Sequence, residues 1–593
     1  MGGFSFLSTL APRQIAFWSG AGISIDAPTC GPSGRALTDR ALGAYFLPGL
    51  AADLTALYSQ LGIPDAAFRP RLETVLDALT EVYGASGLAD VLSDLAASPH
   101  NANHEFFAAH MLLGGQHTTE NFDACIEEAS LQSVHTAVEP VHFHGLLGNG
   151  GDVSELGARM GMIENGFPSD VRDALDGILG DPAVEVLVFA GCSGSDYFDA
   201  TPYLQNRWHL LAGRKVVWHE YSTAPAPTLS GADCDDHHVL RDARAAGVET
   251  FRVRDTLSSC LDDLAQAWGL SPSSLRAIKP SSASWSQQSD PSNHLRARAT
   301  VALLARMGVR HQVIRIIEAS GGPSTPEDAD RYADALWGAG RYREARVAWR
   351  QAFAGNDDTA QARLVERQAA VDWIRGRYLF AQRKLRRALK KWAHPQSSVP
   401  IDVQLRLAEA YGRVLVHMRR SPETRPFATV GKTEFATQEL VRLGNLIHGH
   451  EGIHMRARIA SLRAELARTE YAEADGHAEA FSESEALHGW MNYRHAKVRA
   501  DTARGIWPTR HALDELVRQQ RLLGAHGDSA RVILLPGATR VYSPLLVWSA
   551  FSGVDITTWH RIRVILGIFA RHGAWKGRQI CSPFLGKLKR PRL

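Results

Sequence analysis

Along the chain the apolar residues follow two regimes. Over roughly the first 270 residues, short and almost wholly apolar runs alternate with longer segments of helical length. The runs are Ile15–Ser19 (IAFWS), Val184–Ala190 (VEVLVFA), Val216–His219 (VVWH) and Thr250–Val253 (TFRV). A strand apolar on both faces must be covered on both, so the pattern predicts an α/β fold: a Rossmann-like parallel sheet between helical layers. Val171–Ile178 and Thr256–Trp268 carry apolar residues at helical spacing and supply two of the covering helices.

From Ser271 to Ser292 the pattern breaks off into SPSSLRAIKPSSASWSQQSDPS, with nine serines and three prolines. Such a window has too little to bury and predicts a linker. Beyond it, Leu295 to about Gln520 is rich in Ala, Arg, Leu and Glu and predicts an all-α region. Gly340-Arg341-Tyr342 is followed by Ala345 and Ala352, and Gly376-Arg377-Tyr378 by Ala381 and Ala388, an offset of 36 residues throughout. Small residues at fixed spacing let antiparallel helices approach closely, and the arrangement resembles tetratricopeptide repeats. The expected domains are 1–270 (sheet), 271–294 (linker), 295–530 (helical repeat) and 531–593, whose fold the sequence does not assign.

Composition adds limits. The 593 residues are 45% hydrophobic and 22% charged, with a formal charge of +2, so the surface as a whole does not read as basic. Six cysteines (30, 125, 192, 234, 260 and 581) form no Cys-x-x-Cys pair, which excludes a zinc ribbon. The start MGGFSFLSTLAPRQ lacks the basic and apolar blocks of a signal peptide, and no apolar run nears the roughly 18 residues of a membrane span. The expectation is a cytoplasmic protein without a membrane contact.

The candidate chemistry begins at the end of the first strand. IAFWS runs into Gly20-Ala21-Gly22-Ile23-Ser24, and a strand, a Gly-x-Gly turn and a helix together make a phosphate cradle. Further on come Thr118-Thr119-Glu120-Asn121-Phe122-Asp123 with Ile126-Glu127, then Val141-His142-Phe143-His144-Gly145, then Gly191-Cys192-Ser193-Gly194-Ser195-Asp196. Singly, Asn121 reads as a helix N-cap and His144 as a strand-end histidine. In this order and spacing the set resembles the sirtuin superfamily, in particular the sirtuin-like domains of bacterial antiphage defence proteins, over about residues 13–222.

The resemblance implies roles. Gly20, Ala21, Gly22 and Ser24 would cradle the pyrophosphate of NAD, and Gly191, Ser193 and Ser195 would meet its adenosine side. His219 and Glu220 would cap the adenine ribose. Asn121 and Asp123 would line the nicotinamide-ribose pocket, and His144 would serve as the base. Protein deacylases of the superfamily carry four zinc-binding cysteines after the His-Gly, whereas Gly148 to Leu179 here contains none. The Asp-Phe-Arg after their first glycine motif is replaced by Gly31-Pro32-Ser33-Gly34-Arg35. The implied activity is therefore NAD glycohydrolase, with NAD as substrate, water as acceptor and no metal. In bacterial defence such an enzyme acts as an abortive-infection effector, here with the helical region as sensor of a phage-derived or partner protein, and with homo-oligomerisation as a gate. A protein deacylase and a non-catalytic NAD or ADP-ribose sensor are the alternatives.

Other clusters weigh less. Asp233-Cys234-Asp235-Asp236-His237-His238 and the histidines 448, 450 and 454 lack the convergent spacing of metal ligands. Eight basic residues between Arg375 and Lys391, and nine from Arg561 onward, read as solvated faces or as a contact for nucleic acid or an acidic partner. No recognised nucleic-acid module accompanies them.

Overall fold

The computed structural model describes residues 3–61, 70–96, 98–147, 153, 156, 167–192, 200–270, 291–339, 341–355, 357–374, 377–394, 396–420 and 424–446. The expectations for Ser193 and Ser195, for the linker 271–290, for Gly340 and Gly376, and for everything from 447 onward lie outside the described residues. The chain divides into two compact units, Met1–Ala51 with Arg71–Leu295, and Ala52–Pro70 with Arg296–Leu593.

In chain order the elements up to residue 267 are β1 (Ile15–Ser19), α1 (Gly34–Tyr45), α2 (Leu50–Leu61), α3 (Leu72–Tyr83), α4 (Ala85–Ala96), α5 (Ala102–Leu112), β2 (Gln116–Thr119), α6 (Cys125–Val134) and β3 (Val141–His142). Then follow α7 (Ser169–Gly180), β4 (Val186–Ala190), α8 (Ala200–Gln205), β5 (Lys215–Tyr221), β6 (Ala226–Ser230), α9 (His238–Ala245), β7 (Glu249–Asp255) and α10 (Leu257–Ala267). The strands form one sheet in the order β3-β2-β1-β4-β5-β7-β6, parallel except that β6 runs antiparallel to β7.

Alternation within each strand builds two layers. Ala16, Trp18, Leu187, Phe189, Val216 and Trp218 face one core with Leu175 and Ile178 of α7 and Leu240 of α9. Ile15, Phe17, Val186, Val188 and Val217 face the other, with Phe107 of α5, Ile126 of α6 and Leu261 of α10. All five residues of β1 and of β4 are buried, which is why these central strands carry no polar face.

Four strands coincide with the apolar runs, and three do not. β2 is Gln116-His117-Thr118-Thr119, with its last three residues buried. Most of its polar side-chain atoms are bonded, which offsets their burial: His117 Nε2 lies 2.8 Å from Ser19 Oγ, Thr118 Oγ1 donates to the Val141 carbonyl at 3.0 Å, and Thr119 Oγ1 accepts the Asn121 N–H at 3.1 Å, while His117 Nδ1 has no partner. β3 has only two residues, and the half-exposed edge strand β6 corrects the expectation of an all-parallel sheet. The segment after β1 is also corrected: the turn opens a single 3-10 turn, Ala21–Ser24, and the first α-helix begins at Gly34, capped by Ser33.

The second unit is helical where described, with most of α2 and then α11 (Asn293–Arg306), α12 (Arg310–Ala319), α13 (Pro326–Ala339), α14 (Tyr342–Ala352), α15 (Asp358–Ile374), α16 (Tyr378–Trp392), α17 (Ile401–Arg420) and α18 (Val430–Leu446). Helices pack chiefly on their neighbours in the chain. The 36-residue offset is structural: α14 and α16 both begin at the repeated Tyr, and Ala345 and Ala381 are both fully buried. The main chain repeats as well, since Arg341 N–H donates to the Leu336 carbonyl at 2.7 Å and Arg377 N–H to that of Asp372 at 2.8 Å. Of the basic run, Lys384 pairs with Asp372 and Lys391 with Asp358, while Arg383, Arg386, Arg387 and Lys390 lie on the exposed face of α16. Among the described residues no helix is long and apolar enough to cross a membrane.

Candidate functional site

The strand order turns at β1: β2 and β3 extend to one side, β4 and β5 to the other. Loops leaving neighbouring strands at such a point part in opposite directions and open a crevice at the C-terminal edge of the sheet, where open α/β folds bind their ligands. The loops after β1, β2 and β4 meet here.

The floor is main chain. Gly20 N–H donates to the Ala190 carbonyl at 3.0 Å, and Gly22 N–H to that of Gly191 at 2.9 Å. A Cβ on Gly22 would lie 2.6 Å from Gly191 Cα, and one on Gly191, whose φ is +69°, would lie 2.7 Å from Ile23 N. The glycines thus let two loops touch backbone to backbone, and two of the amides expected to face a pyrophosphate are spent on the end of β4.

Above that floor sits a buried polar cluster. Asn121 Nδ2 donates to Ser24 Oγ at 3.0 Å, and it lies 3.3 Å from Asp123 Oδ2. Ser24 Oγ also meets His104 Nε2 at 3.0 Å and reaches Asp123 Oδ2 at a longer 3.3 Å. The His104 tautomer follows from its other nitrogen, because Nδ1 accepts the Asn101 N–H at 3.0 Å. The ring proton is on Nε2, so Ser24 Oγ receives two donors and its own proton points to Asp123. Burial holds His104 down at about 4, against the pull of Asp123, so the ring is neutral at physiological pH. Asn121 Oδ1 is buried with no hydrogen-bond partner in this structure.

Local sequence explains the placement. Asn101 caps α5 by accepting from the amides of Asn103 and His104, and its Nδ2 donates to the Ile23 and Asp26 carbonyls at 3.0 and 3.1 Å. Asn103 Nδ2 adds bonds to Ile23 O and Asp26 Oδ2. The head of α5 therefore grips the loop that carries Ser24. Asn121 is not a helix cap; the cap of α6 is Ala124, and Asp123 Oδ1 accepts the Cys125 N–H at 3.2 Å.

Ser24, Asn121 and Asp123 are thus brought together. His144 lies two residues beyond β3, half-buried among the rings of Phe122, Phe143 and Phe167. It faces the charge of Glu73, whose carboxyl is held below its ordinary range because Arg71, helped by His144, outweighs the effect of burial. His219 and Glu220 are engaged with β7: His219 Nε2 lies 3.0 Å from the Asp255 carbonyl, and Glu220 Oε2 accepts from Arg252 at 2.6 Å and Arg254 at 3.0 Å.

Sequence reasoning passed over His104, Asn101 and Asn103, although Asn-x-Asn-His at the head of an apolar helix is a visible signal. It also gave no role to His142, whose Nδ1 lies 2.8 Å from the Asn121 carbonyl and whose Nε2 lies 2.7 Å from Glu127 Oε1. His104, Asp123 and Cys125 place ligand atoms within 4.8 Å of one another. They suit a cation poorly: burial and Asp123 push the Cys125 thiol up, and both His104 nitrogens are already bonded. In the acidic stretch after β6, Asp235 is paired with Arg244 and Asp236 with Arg252.

No protein-family model matches the chain, and no curated protein matches it. The class the fold defines is a Rossmann-like α/β unit with a buried polar site at its switch point, followed by a helical unit.

Proposed function

We propose that the first unit is a sirtuin-like NAD glycohydrolase and that the helical unit is its sensor in a bacterial antiphage system. The observation that carries the reading is the Asn121 carboxamide. Its Nδ2 is anchored on Ser24 and Asp123, while its Oδ1 is a buried acceptor without a partner, in the loop after β2. A buried orphan acceptor costs about 1–3 kcal/mol, a cost that a ligand O–H or N–H removes. A ribose hydroxyl or an attacking water is such a donor.

In the proposed reaction the bond between nicotinamide and C1 of the ribose breaks, and its electron pair leaves with neutral nicotinamide. The oxocarbenium-like ribose is stabilised by the Asp123 carboxylate and the Asn121 carbonyl oxygen. Water held by Asn121 adds at C1, and His144, beside Phe122, takes its proton to give ADP-ribose. His104 is neutral and already donates to Ser24, so it orders the cluster and does not act as the base. The absence of the cysteine quartet supports water as the acceptor.

The purified full chain, alone or with its trigger, is expected to release nicotinamide and ADP-ribose from NAD without an acyl-lysine peptide. Asn121→Ala and His144→Ala are each expected to slow release by about 100-fold or more while NAD binding persists. Peptide-dependent formation of acetyl-ADP-ribose would replace this reading with a deacylase. NAD binding without cleavage under every activating condition would replace it with a sensor.

A further inference from the structure

His142 has both ring nitrogens on atoms that can only accept. Nδ1 lies 2.8 Å from the main-chain carbonyl oxygen of Asn121, and Nε2 lies 2.7 Å from Glu127 Oε1. A neutral imidazole carries one N–H and can satisfy one of the two; bonding both requires a proton on each nitrogen. The ring is 8% exposed and Glu127 17%, so water is a poor substitute partner for either. The other Glu127 oxygen, Oε2, is buried with no hydrogen bond, which leaves that carboxylate dependent on the ring.

We propose that His142 is a positioning residue: as an imidazolium held by Glu127 it clamps the Asn121 carbonyl and thereby orients the Asn121 carboxamide. The inference rests on the assignment of Asn121 to the bond being broken, and it adds a proton on which that assignment depends. When the ring loses a proton, a nitrogen lone pair comes to face either the Asn121 carbonyl or the Glu127 carboxylate. The two acceptors repel, and the β2–α6 loop that carries Asn121 loses its clamp.

The surroundings favour the charged form. Burial alone would lower His142, but Glu127, the Asn121 carbonyl and Asp123 outweigh it, and the ring is raised above its ordinary value. From α6, Glu127 brings negative charge. From β2, His117 is driven well below its ordinary value by burial, with His142 among the further causes, and so adds no rival charge. From α7, which also packs on β3, Asp176 is turned to Tyr203 and Arg207. His104 and His142 are thus pushed in opposite directions on the two sides of one asparagine.

The test is a pH titration of the full chain carrying 13C-labelled histidine and 15N-labelled asparagine, with His142→Gln used to assign the ring. His142 is expected to titrate above an ordinary histidine value of about 6.5, and the Asn121 side-chain amide to shift with the same midpoint. Glu127→Gln is expected to lower both midpoints together, by about one pH unit or more. In turnover, NAD cleavage should fall as pH rises through that midpoint, through kcat rather than KM. His142→Gln should be flat over the same range and roughly 10-fold or more slower. A ring midpoint at or below the ordinary value, or an Asn121 amide indifferent to it, overturns the proposal. Once the ring is assigned, the titration needs no NAD, so failure of the hydrolase reading would leave the clamp measurable on its own.

Discussion

At the scale of single residues, buried histidines make the sheet unit a pH-dependent object. His104 and His110 are held down at about 4 and His117 well below its ordinary value, in each case first by burial. Between about pH 6.5 and 4 the unfolded chain binds protons at these positions that the native one refuses. Stability is therefore fully present above about pH 6.5 and lost as pH falls, by up to about 1.4 kcal/mol per pH unit for each ring. His142 works in the other direction: its contribution is present at low pH and is lost as pH rises through its raised value. Urea midpoints for the sheet unit should fall between pH 7 and pH 5, and constant midpoints would contradict the assignment of neutral, buried rings. Asn101→Ala, which removes the cap of α5 and the bonds to Ile23 and Asp26, is expected to cost about 1–2 kcal/mol by the same measurement.

At the scale of elements, the floor of the site depends on the absence of side chains. Gly22→Ala is expected to destabilise the sheet unit by about 1–3 kcal/mol, because the new Cβ would meet Gly191 backbone, which cannot swing aside. In the helical unit, Ala345→Leu and Ala381→Leu occupy equivalent, fully buried places and should cost similar amounts in thermal unfolding. What was legible in the sequence follows the same physics. β1, β4, β5 and β7 declared themselves through apolar residues covered on two faces. β2 did not, because its buried His117, Thr118 and Thr119 are stabilised by hydrogen bonds that a hydropathy pattern cannot register. Ser24 was legible in the glycine turn after β1, and Asn121 and Asp123 through the order and spacing of the motif set. His104 and His142 were not, since each matters through a partner 15 or more positions away in the chain, Ser24 and Glu127 respectively.

At the scale of the whole molecule, one boundary between the compact units falls at Leu295, at the end of the predicted Ser/Pro-rich linker; the others bracket Ala52–Pro70. Limited proteolysis is expected to cut first between Ser271 and Ser292, leaving a sheet fragment and a helical fragment on a denaturing gel; a protected window would mean that this stretch is held by structure. The contact between the loops after β1 and β4 has a consequence of another kind. It is written in main chain, and it fixes Gly20, Gly22 and Gly191 while asking nothing particular of Ala21 or of most residues around them. Substitutions of side chains elsewhere around these loops therefore leave that main-chain floor in place.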